Sequence, residues 1–258
     1  MRYVEQIEPR LLLSGNVSVK FVGQQLRITG DDQDNAFTIA EPIGLSSNIT
    51  SVVVIQGLNG TTIDGQPAFS KTVGLGLPFF YSSIKMSLGA GNDSVAVNGA
   101  MSGYNLSVDL GDGDDAFGGS QRSFGAVDIF GGDGRDRISL VGSFERRVRL
   151  FPGGGRDRTF FSGEAQRGFD LDDSGSGGVT RLDNITAGKS STIALGRSAD
   201  VLSINDSQFF ELQVFAKAGN DSININNILC ERQSSIFCGD GDDRFTPPRE
   251  RLNLFIFD

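Results

Sequence analysis

Short runs of alternating apolar and polar residues fill most of the chain, and they come in pairs joined by a glycine-rich loop. Ile84, Met86 and Leu88 lead into one loop, and Val95 and Val97 leave it. Leu106, Val108 and Leu110 lead into the next, and Phe117 leaves it. The same phase returns before later loops in Val148/Leu150, Ile193/Leu195 and Leu212/Val214. After later loops it returns in Ile138/Leu140, Phe161, Leu202/Ile204, Ile223/Ile225 and Phe245. A period of two is that of a strand with one buried face, so Arg147 and Arg149, flanking Val148, are expected to face solvent. A weaker apolar slot at Met101, Phe144, Phe209 and Leu229 suggests a short third side. No window has an amphipathic helical period, and glycine interrupts each candidate.

The loops themselves repeat. LGAGNDSV, LGDGDDAF, GGDGRDRI, PGGGRDRT, LGRSADVL, AKAGNDSI and CGDGDDRF place an aspartate at 93, 115, 136, 157, 200, 221 and 243, in steps of 22, 21, 21, 43, 21 and 22 residues. The step of 43 spans a degraded copy, GSGGV, with Val179 where the aspartate is expected. A unit of strand, turn, strand and loop cannot bury its inner face alone, so units of fixed period stack. The pattern therefore predicts an all-β fold, a right-handed parallel β-helix or β-roll-like solenoid with one coil per 21–22 residues and roughly nine or ten coils. Rungs about 4.8 Å apart would align inner residues into ladders and the GxGxD loops into a column along one edge.

Three segments are expected. Residues 1–16 form a leader-like stretch, 17–92 irregular N-terminal coils, and 93–258 the regular GxGxD solenoid with a C-terminal cap strand in LNLFIFD. Within the second, ITGDDQDNAFTI around Asp34 reads as a first loop and strand. GLNGTTI near Gly60 reads as another loop, and Gly65 to Tyr81 as a loop excursion.

Composition narrows the chemistry. There is no His, which excludes His-based triads, His general bases and His-ligated zinc. The 35 glycines in 258 residues are about twice ordinary usage. A net charge of −9 disfavours nucleic acid as a general partner. Against that balance, 18 of the 23 basic residues are Arg, and ten of these lie between Arg122 and Arg181. Cys230 and Cys238 could pair, although Cys238 falls on an apolar core position of the repeat. No apolar run approaches the length of a membrane span.

Gly131-Gly132-Asp133-Gly134-Arg135-Asp136-Arg137-Ile138 resembles the GGxGxDxUx repeat of RTX β-rolls, and the other copies match it in part. The resemblance implies calcium held between successive coils by loop carbonyls and carboxylates. The period departs from it, since RTX units are nine residues, two per coil. Calcium affinity rises with the number of carboxylates offered. Asp112, Asp114 and Asp115 in one loop, and Asp240, Asp242 and Asp243 in another, therefore lead the candidates. Asn92 with Asp93, Asp133 with Asp136, and Asp221 follow. In the loops at 132–136 and 153–157 an Arg precedes the aspartate and could replace the cation by pairing with an aspartate on the neighbouring coil. The metal-free alternative is a stackable turn whose aspartate accepts backbone N–H bonds.

Arg137 and Arg158 share the outward position after the loop aspartate on adjacent coils. With Arg147 and Arg149 they form a candidate patch for acidic polysaccharide or a cell-surface matrix, or else a solvated Arg/Asp network. Ile7-Glu8-Pro9-Arg10-Leu11-Leu12-Leu13-Ser14 resembles the LEPRxLLS-type leader of planctomycete surface and exported proteins, with Ile7 for the leading Leu. That resemblance implies a secreted or cell-surface location, with an N-terminal cap strand of a cytoplasmic protein as the alternative. The expected function is a non-enzymatic structural or adhesive module, possible calcium included. The competing class, an acidic-polysaccharide lyase or hydrolase on a β-helix, rests on fold analogy alone.

Overall fold

Register between neighbouring coils organises the molecule. In a computed structural model describing residues 14–40, 51–66, 70–76, 83–99, 103–173, 175, 177–247 and 254–257, every regular element is a strand. The leader motif up to Leu13 lies outside these residues. From Ser83 onward the described strands pair in parallel with those one coil away, and the stack makes about eight turns of a β-solenoid.

The ladders follow the sequence phase. Ile84, Leu106, Val127, Val148 and Phe169 align in one column, and Met86, Val108, Ile129, Leu150, Leu171, Ile193, Val214 and Ile236 in the next. After the loops, Val95, Phe117 and Ile138 align, as do Leu140, Phe161, Leu182, Ile204 and Ile225. All are buried. The Phe130 and Phe151 rings, in register on successive coils, stack with centroids 4.7 Å apart, close to the rung spacing. The third side is present too, but Cys230, not Leu229, aligns with Phe209. Leu229 is exposed because the inward phase of its strand shifts by one residue at Asn227, whose φ is 50°. Cys230 and Cys238 are buried thiols of the core with no disulfide.

The N-terminal part differs from the expectation of irregular coils. Gln25–Thr29 and Ala36–Ala40 form one regular coil that stacks directly on Ser83–Ser87 and Ser94–Gly99. Here Asn35, not Asp34, aligns with Asp93, since Ala36 faces Ser94. On the free edge of this coil, Asn16–Val22 pairs antiparallel with Gln25–Thr29, and Ser51–Gly57 pairs antiparallel with Ala36–Ala40. Ser70–Gly76 continues that antiparallel sheet, so the expected excursion contains a strand, and after the Gly60 loop Thr62–Ile63 makes a short parallel pair with Asn16–Val17. Strands that reverse direction cannot propagate a parallel stack. They cover its open edge instead, which is why the turns number fewer than nine or ten.

Candidate functional site

The glycine–aspartate corners form one continuous edge, and its backbone leaves no room for side chains at the glycines. Gly111 and Gly113 have φ of 106° and 146°, and a Cβ on either would lie 1.7 and 1.9 Å from the carbonyl oxygens of Gly89 and Gly91. Corner backbones thus stack in contact, and glycine is required by packing as well as by conformation.

Corner N–H groups point along the stack, and side chains of adjacent coils accept them through two ladders of opposite polarity. In the inner ladder each aspartate Oδ1 accepts from the coil before it. Asp93 N–H donates to Asp115 at 2.6 Å, Asp115 to Asp136 at 2.9 Å, Asp136 to Asp157 at 2.8 Å, Asp200 to Asp221 at 2.8 Å and Asp221 to Asp243 at 2.8 Å. In the outer ladder the acceptor lies on the earlier coil. Asn92 N–H donates to Asp34 at 2.7 Å, Asp114 to Asn92 at 2.9 Å and Arg135 to Asp114 at 3.0 Å. Buried backbone donors need partners, and this edge supplies them from carboxylates and amides.

The degraded coil is repaired from the side. Gly178, not Val179, fills the aspartate slot, because Val179 aligns with Arg158 and Val201. The Gly178 N–H still donates to Asp200 Oδ1 at 2.6 Å. Asp173, one residue past the strand Phe169–Asp172, fills the vacated volume. A Cβ on Gly178 would lie 2.2 Å from its Oδ2. An aspartate at a position whose equivalents on the next three coils are Leu195, Ala216 and Cys238 was the sequence signal for this, and it lies outside the GxGxD motif.

The inner carboxylates from Asp93 to Asp221 are almost fully buried, and in six of them one oxygen has no partner: Oδ2 of Asp93, Asp115, Asp136, Asp157 and Asp221, and Oδ1 of Asp173. Burial pushes the carboxyls of Asp93, Asp115 and Asp221 up to about 6. It pushes Asp136 and Asp173 to about 7, with the charges of neighbouring aspartates adding to the effect. Asp157 and Asp200 are raised for the same first reason. At about 1.4 kcal/mol per unit, each carboxylate costs about 3 to 4 kcal/mol to ionise in place. Burial therefore favours the neutral form of each column carboxyl, and a proton or a cation would relieve that cost.

The first coil indicates which donor the corner accepts. Asn35 occupies the same slot, and its Nδ2 donates to the carbonyls of Asp31 at 3.1 Å and Gln33 at 2.8 Å. A protonated aspartate offers one donor toward the equivalent carbonyls, four and two residues before it.

Among the proposed metal ligands, Asp93, Asp115, Asp136 and Asp221 belong to the buried column. Asp112, Asp114, Asp133, Asp240, Asp242 and Asn92 are exposed, and Asp243 is half-buried. Among the described residues no three acidic or cysteine side chains converge as a metal cage. The oxygens on offer to a cation are the orphaned column atoms and the exposed outer aspartates.

The proposed arginine patch divides. Arg149 grips Asp128 on the preceding coil with two bonds of 2.6 Å. Arg147 pairs with Asp170 and donates to the Ser190 carbonyl at 3.1 Å. Arg137 and Arg158 face each other in register as expected, and with Arg135 and Arg156 they wall a depression of about 410 Å3. None of these four makes an ion pair among the described residues, so the loop arginines do not replace a cation by binding a neighbouring aspartate. Two guanidinium charges about 4–5 Å apart repel by about 1 kcal/mol in water. Comparison with family models, characterised proteins and solved structures finds no match for the chain.

Proposed function

We propose that the chain is a non-enzymatic structural and adhesive β-solenoid that works outside the cell or on its surface. One observation carries this reading: the regularly placed aspartates are committed to inter-coil backbone bonds, so the acidic repeat serves stacking. Catalysis by a lyase or hydrolase needs carboxylates that converge on a substrate with room beside them. The inner aspartates have neither freedom nor access.

In this reading calcium is a counter-ion of the corner, attracted to the exposed aspartates at 112, 114, 240 and 242, and it adds stability to the native state alone. Thermal melting with millimolar calcium and with chelator tests it. A hundredfold excess over the dissociation constant raises stability by about 2.7 kcal/mol, and an unchanged melt removes calcium from the reading. Incubation with a panel of uronate polymers tests the non-enzymatic assignment, which new reducing ends or unsaturated products would reject. Labelling of intact cells with an impermeant amine reagent tests the location, and protection until lysis would refute it.

A further inference from the structure

We propose that Arg135, Arg137, Arg156 and Arg158 form a binding site for an acidic polysaccharide, seated in the trough that the degraded coil leaves beside them. Two outward columns build it. The position before the loop aspartate reads Asp114, Arg135, Arg156, Gly177, Ala199 on successive coils. The position after it reads Ala116, Arg137, Arg158, Val179, Val201. Tall arginines on two coils thus meet small residues on the next two, and the step between them is the depression of about 410 Å3. A Cβ on Gly177 would lie 3.6 Å from Arg156 Nε, so that arginine rests along the trough wall.

Three features select the ligand class. The four guanidinium groups carry no ion pair among the described residues, whereas Arg147, Arg149 and Arg181 are each held by an aspartate. Within each column, successive arginines are about 4.8 Å apart at the backbone, and within one coil the two columns are separated by a single aspartate. That array suits several carboxylates or sulfates fixed along a chain, and guanidinium forks bind such groups in two-point fashion. Val179 and Val201, 44% and 43% exposed, give the floor an apolar surface for the C–H face of a sugar ring. Nucleic acid fits less well: the lining has no aromatic side chain for base stacking, and the net charge of −9 opposes a densely charged phosphate chain.

The site deepens the adhesive reading and rests on it only for where the ligand is met. Purified full-length protein is titrated with polygalacturonate, dextran sulfate, neutral dextran and a single-stranded oligonucleotide at low and moderate salt. The expected result is binding to one or both acidic polysaccharides, weakened by salt, with none to dextran. Arg156→Gln/Arg158→Gln is expected to weaken it at least tenfold with an unchanged melt, and Arg147→Ala/Arg149→Ala to leave it unchanged. Should the double glutamine variant melt lower, Arg137→Gln alone provides the same reading through an exposed side chain. Equal binding by all variants, binding to neither acidic polymer, or tighter binding to the oligonucleotide would overturn the proposal. Failure of binding by a surface-located protein refutes the site and leaves the scaffold. Binding by a protein confined to the cytoplasm refutes the location and leaves the site.

Discussion

Replacing Asp136 by Asn should stabilise this protein at alkaline pH, although it alters a fully buried side chain. Asn keeps the Oδ1 acceptor for the Asp115 N–H at 2.9 Å, and its amide takes the place of the orphaned Oδ2. Asn35 already occupies the equivalent slot and satisfies its amide on loop carbonyls. The Asp136 carboxyl rises from an ordinary 3.8 to about 7 on folding, chiefly through burial. Because the folded value lies above the unfolded one, the wild-type contribution is full below about pH 4 and is lost as pH rises through 7. Three units at about 1.4 kcal/mol each give a loss of about 4 kcal/mol. The variant has no such loss, so its advantage should grow from near zero at pH 4 to as much as about 4 kcal/mol at pH 8. Urea denaturation at pH 4.5, 6 and 8, read as midpoint at constant slope, measures it. A variant less stable than wild type at pH 8, or an advantage that does not change with pH, would refute the cost assigned to ionising Asp136. A stabilising effect of calcium on wild type at pH 8 that vanishes in the variant would identify a cation as the neutralising species instead.

Other perturbations test separate parts of the edge. Gly113→Ala places a methyl group against the Gly91 carbonyl oxygen at 1.9 Å in a left-handed backbone. It should cost about 3 kcal/mol or more in denaturant titration, whereas Gly65→Ala, with open space at the same sign of φ, should cost about 1 kcal/mol. Gly178→Asp alone should destabilise by crowding Asp173, and Asp173→Ala in that background should recover much of the loss. Additive effects in the double-mutant cycle would mean that the two carboxylates do not share one volume. Arg149→Ala removes an exposed two-point pair with Asp128 and should lower stability by no more than about 1 kcal/mol, less at high salt. A salt-independent loss of several kcal/mol would show that the contact is structural beyond its charge.

Much of the architecture was legible along the chain because stacking makes it local and periodic. A step of 21 or 22 residues brings equivalent positions onto adjacent rungs, so the alternation of Leu106/Val108/Leu110 and its counterparts identifies both the strand and its inward face. The same periodicity made the Arg137–Arg158 neighbour relation readable before any coordinates. It failed where the period breaks. The antiparallel pairing of Ser51–Gly57 with Ala36–Ala40 is a relation between strands, and no local pattern distinguishes it from another coil. At the degraded repeat, alignment by motif placed Val179 in the slot that hydrogen-bond register assigns to Gly178.

The candidate site depended more heavily on the third dimension. From the sequence alone, an aspartate after GxG is an acidic residue in a turn, equally suited to calcium or to a backbone N–H. Only stacking determines that Asp115 is enclosed while its neighbours Asp112 and Asp114 stay in water. It equally places Asp128 and Asp170 within reach of Arg149 and Arg147, and leaves the four arginines at the trough outside any ion pair among the described residues, although the buried Asp136 and Asp157 also line it. The amino-acid sequence by itself determined the repeat, the strands and the column of corners, because those follow from spacing. The tertiary structure decided which charges are buried, which are paired and which remain available. Those properties depend on the distance to groups one coil away, and a change of one residue in register is enough to alter them.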